Sequence, residues 1–321
     1  MILYDVLIFD SLNFLYRVRS DKNVDCSNLV KISNKVVMVD LIRAYLDTVF
    51  YLEQKYLASD GRVFLLFDNA TSRDELKKMF STLAPTKSRK EVDNAYKENR
   101  MTESREFYNT LDLIKYYYMV SSSKYRTARI QGLEADDLVK PCIDSIPNSK
   151  ILMITNDSDW ARYLDSNTHY LPHTFEPPVT DVMFQAKRGF YPTEEKIILD
   201  KILFGDSADN VKEVLPELPK ALREQIRSDF DCIQNFILNY ELYTPLKEYV
   251  TLVRDRLPEL RIAYQMVATI PVSDKHFFYS CSIGRDSKVQ RTAIESVLKI
   301  NNVNVTFEFG DIKVPRVNPV G

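Results

Sequence analysis

Three carboxylates fall within four residues, in the stretch Gly132-Leu133-Glu134-Ala135-Asp136-Asp137-Leu138. A continuous helix would not aim all three at one point. At 3.6 residues per turn, Glu134 and Asp137 lie roughly 60° apart around the axis, whereas Asp136 points well away from Glu134. A loop that becomes a helix at about Asp136, bent on approach by Gly132, would bring the three together. Acids in a first helical turn also suit the positive end of the helix dipole. A plain capping cluster in water is therefore the alternative to a binding site.

The elements around this cluster decide between the two. Ile2-Leu3-Tyr4 and Val6-Leu7-Ile8-Phe9 read as a buried strand that ends at Asp10. Ser11-Leu12-Asn13 leads into a turn or short helix. Val36 to Leu57 reads as a long amphipathic helix, and Asp60-Gly61 as a turn. Val63 to Phe67 is a second strand, ending at Asp68. Lys150 to Thr155 is a third, followed by Asp157 and Asp159. Strands alternating with long helices predict an α/β fold with a central, mostly parallel sheet flanked by helices. Ligands of such sheets sit outside the carboxyl ends of the strands, where these aspartates collect. Gly205-Asp206-Ser207-Ala208-Asp209-Asn210 adds Asp206 and Asp209, at i and i+3 on one helical face.

Magnitudes favour a cation. Asp10, Asp68, Glu134, Asp136, Asp137, Asp157, Asp159, Asp206 and Asp209 could share one cleft. Two like charges at 4 Å repel by about 1 kcal/mol in water and about 4 kcal/mol at an effective dielectric of 20. Many such pairs are untenable in a domain stable by about 5–15 kcal/mol. Bound divalent cations remove the difficulty. Oxygen-only ligands favour magnesium, with manganese as a substitute, over zinc. So many carboxylates suggest two metals, or one ligand shell with a second behind it. An EF-hand is disfavoured: counted from Asp157, position six is Arg162 and position twelve is Thr168.

A different segment, roughly residues 70 to 105, lies between the second strand and the acid triplet. Lys87, Arg89, Lys90, Lys97 and Arg100 bracket Tyr96. Cations suit phosphates, and an aromatic ring suits a base. Glu91, Asp93, Glu98 and Glu103 are interleaved, so a solvated helix face is the bland alternative. Beyond Asp209 the chain turns helical, over Lys220 to Ile226, Cys232 to Leu242 and Pro245 to Leu257. Val303, Val305, Phe307 and Phe309 then alternate as a half-buried strand. Tyr116-Tyr117-Tyr118 and Trp160 read as packing residues.

Composition sets the frame. The 321 residues are 45% hydrophobic and 27% charged, with net charge -2, as in a globular protein of one large or two modest domains. Any nucleic-acid surface must then be locally segregated. Four scattered cysteines and three histidines argue against zinc and for a reducing, cytoplasmic setting. No apolar run reaches the ~18 residues of a membrane span. Asp5 and Asp10 interrupt the region where a signal peptide would be apolar. Only 7 glycines occur, with no G-x-x-x-x-G-K and no G-x-G-x-x-G.

Six motifs in order carry a resemblance. Ile8-Phe9-Asp10-Ser11-Leu12-Asn13, Leu66-Phe67-Asp68-Asn69, Ala95-Tyr96-Lys97-Glu98-Asn99-Arg100, Gly132 to Asp137, Ile154-Thr155-Asn156-Asp157-Ser158-Asp159 and Gly205 to Asn210 resemble the motifs of the 5′-nuclease superfamily. That superfamily takes in the 5′→3′ exonuclease and flap endonuclease domain of bacterial DNA polymerases, phage 5′→3′ exonucleases and the phage enzyme called ribonuclease H. The likeness spans residues 8 to about 225.

The resemblance implies a nuclease domain over 1–204, with an arch at about 70–105; residues 205–321 read as a helical C-terminal region that opens with an altered DNA-binding hairpin and ends in a small strand element, and residues from about 260 onward lie outside the resemblance. It implies two magnesium ions. Asp10, Asp68, Glu134 and Asp136 would lie nearest the first. Asp157, Asp159, Asp206 and Asp209 would serve the second, and Asp137 would be shared or in an outer shell. Lys97 and Arg100 would stabilise charge on the scissile phosphate, and Tyr96 would stack on a terminal base. Lys87 and Lys90 would also contact substrate. The implied substrate is DNA with 5′ ends, flaps or nicks, with RNA–DNA hybrid as a further candidate. The setting would be replication or repair by a monomer in a cytoplasm, the host's if the chain is phage-encoded.

Two departures stand out. Asn156 replaces the family glycine, a mild change because asparagine tolerates a left-handed backbone. The family's glycine-rich hairpin, which binds duplex backbone and often potassium, here carries Glu213, Pro216 and Leu218. Pro216 has no amide to offer a phosphate. Duplex contact is then expected from Lys212, Lys220 and Arg223. Three rivals remain: a non-catalytic nucleic-acid-binding relative, a phosphohydrolase using Asp10 as nucleophile, and a small single-domain ribonuclease with a related acidic sheet, against which the arch motif and the Gly205 to Asn210 segment argue. The second is disfavoured because Leu12 stands where that chemistry wants an aspartate.

Overall fold

The computed structural model describes residues 2–32, 34–69, 103–174, 176–207, 210–299, 305–309 and 312–316. Its centre is β1 (Tyr4–Asp10), a strand buried on both faces. The flanking strands are β4 (Leu57–Leu66) and β6 (Ile151–Ile154), both parallel to it. Outside these lie β5 (Tyr125–Ala128) beside β4 and β7 (Thr168–Leu171) beside β6. The last strand is β8 (Cys281–Ile283), antiparallel to β5, giving the order β7-β6-β1-β4-β5-β8. The expected α/β class with a mostly parallel sheet holds. The chain moves from β1 outward to β4 and β5, then crosses to β6 and β7. The reversal opens a crevice at the carboxyl ends of β1 and β6, where such sheets place their ligands.

Side chains alternate across the sheet, as the two-residue period requires. Leu7 and Phe9 join one core with α1 (Ser11–Arg19), α2 (Val39–Tyr56) and α3 (Arg105–Ser121). Val6 and Ile8 join the opposite core with α4 (Ala135–Asp144) and Trp160. A third core lies under the helices between 194 and 267.

Several expectations need correction. Residues Lys35–Met38 are not the start of the long helix but a strand, β3, paired antiparallel with β2 (Leu29–Ile32); β-branched Val36 and Val37 favour the extended form. Asp60-Gly61 is not a turn between elements. β4 runs through it, and the register jumps from Tyr4↔Leu57 to Val6↔Arg62 to absorb the extra residues. The region after 205 is largely helical, but it also returns a strand to the main sheet. It holds α7 (Lys220–Asp229), α8 (Ile233–Asn239), α9 (Val250–Asp255), α10 (Leu257–Val267) and α11 (Asp274–Ser280). The chain then returns to the sheet as β8, and α12 (Lys288–Lys299) packs Ile294 and Leu298 into the first core. Gly284 permits the return: a Cβ there would come within 2.1 Å of the Ser122 carbonyl oxygen. The Arg43 guanidinium donates to the Leu298 carbonyl and fixes α12 to α2. β9 (Val305–Phe309) and β10 (Ile312–Arg316) form a hairpin, and Val303 lies outside the described residues. Among the described residues no helix is long and apolar enough to cross a membrane.

Candidate metal centre

Register places the first acid. Asp10 pairs with Leu66 and Phe9 with Ile154, so Asp10, Asp68 and the segment Thr155 to Asp157 emerge at one level. Asp10 also caps α1: its Oδ1 accepts from the Asn13 amide at 3.1 Å, and its Oδ2 accepts from the Thr155 hydroxyl at 3.2 Å. Asp68 Oδ1 accepts from the Ala135 amide at 2.8 Å, the first residue of α4. Asp68 thereby ties the end of β4 to the acid-rich helix start.

The three acids of that start diverge, contrary to the expectation that they converge. The helix begins at Ala135, one residue too early to aim all three together. Gly132 does bend the approach, with φ +76°. Glu134 and Asp137 form a reciprocal capping box, in which Asp137 Oδ2 accepts from the Glu134 amide at 3.1 Å. Asp137 Oδ1 accepts from the Ile270 amide at 2.8 Å, and the residue is 1% exposed. Asp137 is thus a cap and a tie to the C-terminal half. Asp136 instead turns to Trp160, whose Nε1 donates to its Oδ1 at 2.7 Å.

Asp157 begins a short 3-10 helix (Ser158–Tyr163). Its Oδ1 accepts from the Asp159 amide at 2.9 Å. Asn156 keeps an ordinary backbone; among the described residues the left-handed asparagines are Asn148 and Asn210.

Electrostatics divide these acids into two groups. Asp10 has its carboxyl pushed well above the usual range, by burial first and then by the charges of Asp68, Asp136 and Asp157. Asp157 is pushed up to about 7, by burial and then by Asp136 and Asp159. Asp10, Asp68, Asp136 and Asp157 are therefore mutually repelling oxygens around one crevice. In the second group, Lys201 of α6 (Glu194–Phe204) places its ammonium against both Asp159 and Asp206. The Arg162 guanidinium adds a contact to Asp159 Oδ2 at 3.3 Å. Asp206 is held by an antiparallel bridge to Val211. Among the described residues no three acidic, histidine or cysteine side chains stand close enough together to chelate a single ion. The first group nevertheless fits a hard divalent cation: all donors are oxygen, and their repulsion is what such a charge relieves. The Asp159–Asp206 pair already has a protein cation between its members.

The remaining site residues separate clearly. Lys212 and Lys220 are exposed on the hairpin after Asn210. Arg223 is not a surface contact. It is buried, donates to the Leu203 carbonyl at 2.9 Å and pairs with Glu213 at 2.7 Å, because the turn between α6 and α7 needs an internal donor. Asp209, Tyr96, Lys97, Arg100, Lys87 and Lys90 lie outside the described residues. Sequence reasoning takes Trp160 for packing and does not single out Thr155, Arg162 or Lys201. For Lys201 the available signal is a lysine five residues before Asp206, between the apolar runs Ile197-Ile198-Leu199 and Ile202-Leu203-Phe204.

Comparisons with known proteins agree with this fold. Residues 6–189 match the sequence model of the 5′-3′ exonuclease N-terminal, resolvase-like domain. Over 155 residues the chain is 25% identical to a 5′-3′ exonuclease of Buchnera aphidicola subsp. Schizaphis graminum (strain Sg). That match takes in 48% of this chain and 52% of the relative, so the chain spans about half the length of the curated protein it resembles. The fold is similar to that of bacteriophage T5 5′-exonuclease with zinc bound, at TM-score 0.58 and 18% identity, over 82% of this chain and 87% of that one. It is also similar to a T5 flap endonuclease in complex with DNA and metal ions, at TM-score 0.57 and 17% identity, over the same shares, 82% and 87%.

Proposed function

This chain belongs to the 5′-3′ exonuclease family, and we propose that it is a divalent-metal-dependent 5′→3′ exonuclease and flap endonuclease acting on DNA. The observation that carries this reading is the crevice at the ends of β1 and β6, where the buried Asp10 lies beside Thr155 and feels the charges of Asp68, Asp136 and Asp157. Asp10, Asp68, Asp136 and Asp157 would hold the first divalent cation, magnesium with manganese as a substitute. Asp159 and Asp206, with Asp209, would serve a second. When bound, the metal lowers the pKa of a water and stabilises charge on the phosphate oxygens.

The chain's own residues do the rest. Thr155 and the Asn13 amide fix the Asp10 carboxylate, and Trp160 fixes Asp136. Glu134 and Asp137 hold the start of α4, so that its Ala135 amide orients Asp68. Lys212 and Lys220 would track the duplex backbone. Lys97 and Arg100 would meet the scissile phosphate, and Tyr96 the terminal base. We read the protein as a monomer acting in a cytoplasm on 5′ ends, flaps and nicks, with RNA–DNA hybrid as a further substrate.

The test is cleavage of labelled duplexes carrying a 5′ flap, a nick or an RNA primer, with magnesium or with chelator. Magnesium-dependent release of short 5′ products is expected, and the preferred duplex names the subtype. Binding without cleavage, in magnesium and in manganese alike, would overturn catalysis in favour of a binding role.

A further inference from the structure

The two acid groups differ in how their charge is balanced. The acceptors on Asp10 are met by neutral donors, the Asn13 amide and the Thr155 hydroxyl. Arg17 feels the Asp10 charge, but its guanidinium donates to the Leu171 carbonyl and the Thr174 hydroxyl. Asp159 and Asp206 instead share the Lys201 ammonium. The Lys201 side chain is 12% exposed, and those of Asp159 and Asp206 are 10% and 15% exposed. A lysine so placed is held by two charge-assisted contacts in a poorly hydrated setting, where Coulomb attraction is several-fold stronger than in water.

We propose that Lys201 is a built-in counter-ion for Asp159 and Asp206. In the absence of nucleic acid the protein then takes one divalent cation strongly, at the Asp10 group, and admits a second only by displacing Lys201. The inference rests on the metal-binding reading above. Its physical content is competition: ammonium and metal want the same carboxylate oxygens, so second-metal affinity falls by whatever the lysine contacts contribute. It also gives the substrate a role. A nucleic-acid phosphate is the anion that can receive the displaced ammonium, so metal loading at Asp159 and Asp206 is coupled to docking of the backbone. Asp206 suits this coupling because its bridge to Val211 places it one residue from the exposed Lys212.

Manganese binding to the full chain, counted by electron paramagnetic resonance without DNA, tests this directly. Wild type is expected to show one strong site and one much weaker one. Lys201→Met, which keeps the aliphatic stem and removes the charge, is expected to tighten the second site about tenfold or more and leave the first unchanged. Lys201→Gln serves as a second variant, and intact first-site binding reports that each variant is folded. Asp10→Asn should remove the strong site in every background. Equal second-site affinity in wild type and both lysine variants, with the Asp10-dependent site intact, overturns the counter-ion role alone. Absence of any Asp10-dependent site overturns this inference and the metal-binding reading together.

Discussion

The indole Nε1 of Trp160 donates to Asp136 Oδ1 across 2.7 Å, joining a fully buried core residue to one of the acids of the crevice. Trp160→Phe keeps the ring in the core and removes the donor. Loss of such a supporting contact typically costs about 10–100-fold in metal affinity or activity. The expected outcome is weaker manganese binding and slower cleavage in a protein that still folds. Titration of the metal beside a thermal melt checks both parts.

Asp157→Asn should abolish cleavage while leaving DNA binding largely intact, because the substitution removes a charge from the crevice and none from the hairpin surface. Gel-shift and cleavage assays on the same flap duplex separate the two effects. Full activity in this variant would remove Asp157 from the metal centre.

The raised carboxyls fix the sign of the pH dependence. Asp157 holds its proton more tightly in the folded state, at about 7 against an ordinary 3.8. Between these values the folded protein binds more protons than the unfolded chain, so stability falls as pH rises through that window. Asp10 acts in the same direction. In chelator, the melting temperature should be higher at pH 5 than at pH 8. Magnesium should flatten or reverse that slope by taking the place of the protons.

Away from the site, Lys124 Nζ meets Glu53 Oε2 at 2.6 Å beneath Tyr125, and the Glu53 side chain is 3% exposed. Lys124→Met strands a buried carboxylate and should cost about 3 kcal/mol at neutral pH. Adding Glu53→Gln should restore most of it. A double-mutant cycle by chemical denaturation measures the coupling.

The hairpin makes two opposite predictions. Lys212→Ala and Lys220→Ala should weaken DNA binding alike for all sequences and lower its salt dependence by about one counterion each. Arg223→Ala should instead destabilise the fold by about 2 kcal/mol, since it strands the Leu203 carbonyl and removes a buried side chain. Salt titrations of binding and thermal melts distinguish the two kinds of residue.

Much of the fold and half of the crevice are legible in the amino-acid sequence. β1 and β6 announce themselves as short apolar runs ending in aspartate, and parallel pairing alone brings Asp10 and Asp157 to one crevice. β5 and β8 do not, because four residues containing Arg126 and three containing Ser282 carry no hydrophobic pattern; pairing with a neighbour makes them strands. The divergence of Glu134, Asp136 and Asp137 depends on a helix start that shifts by a single residue. Trp160 packs in the core as its type suggests, but its bond to Asp136 is not legible, and Arg223 is misplaced on the surface, for a shared reason. The partners of a long polar-tipped side chain lie far away in sequence, and composition shows only that the side chain is large.

Synthesis order gives the return of the chain to the sheet a further meaning. Asp137 is pinned by the Ile270 amide, and among the described residues the edge of β5 is covered by Cys281–Ile283. A nascent chain that has reached residue 204 has every acid from Asp10 to Asp159 but neither of these closures. Its helix cap is loose and its sheet edge is open. On the proposed reading, competence to cut is thus deferred until residue 283 has emerged, and a fragment ending before residue 270 should be inert and prone to edge-to-edge association.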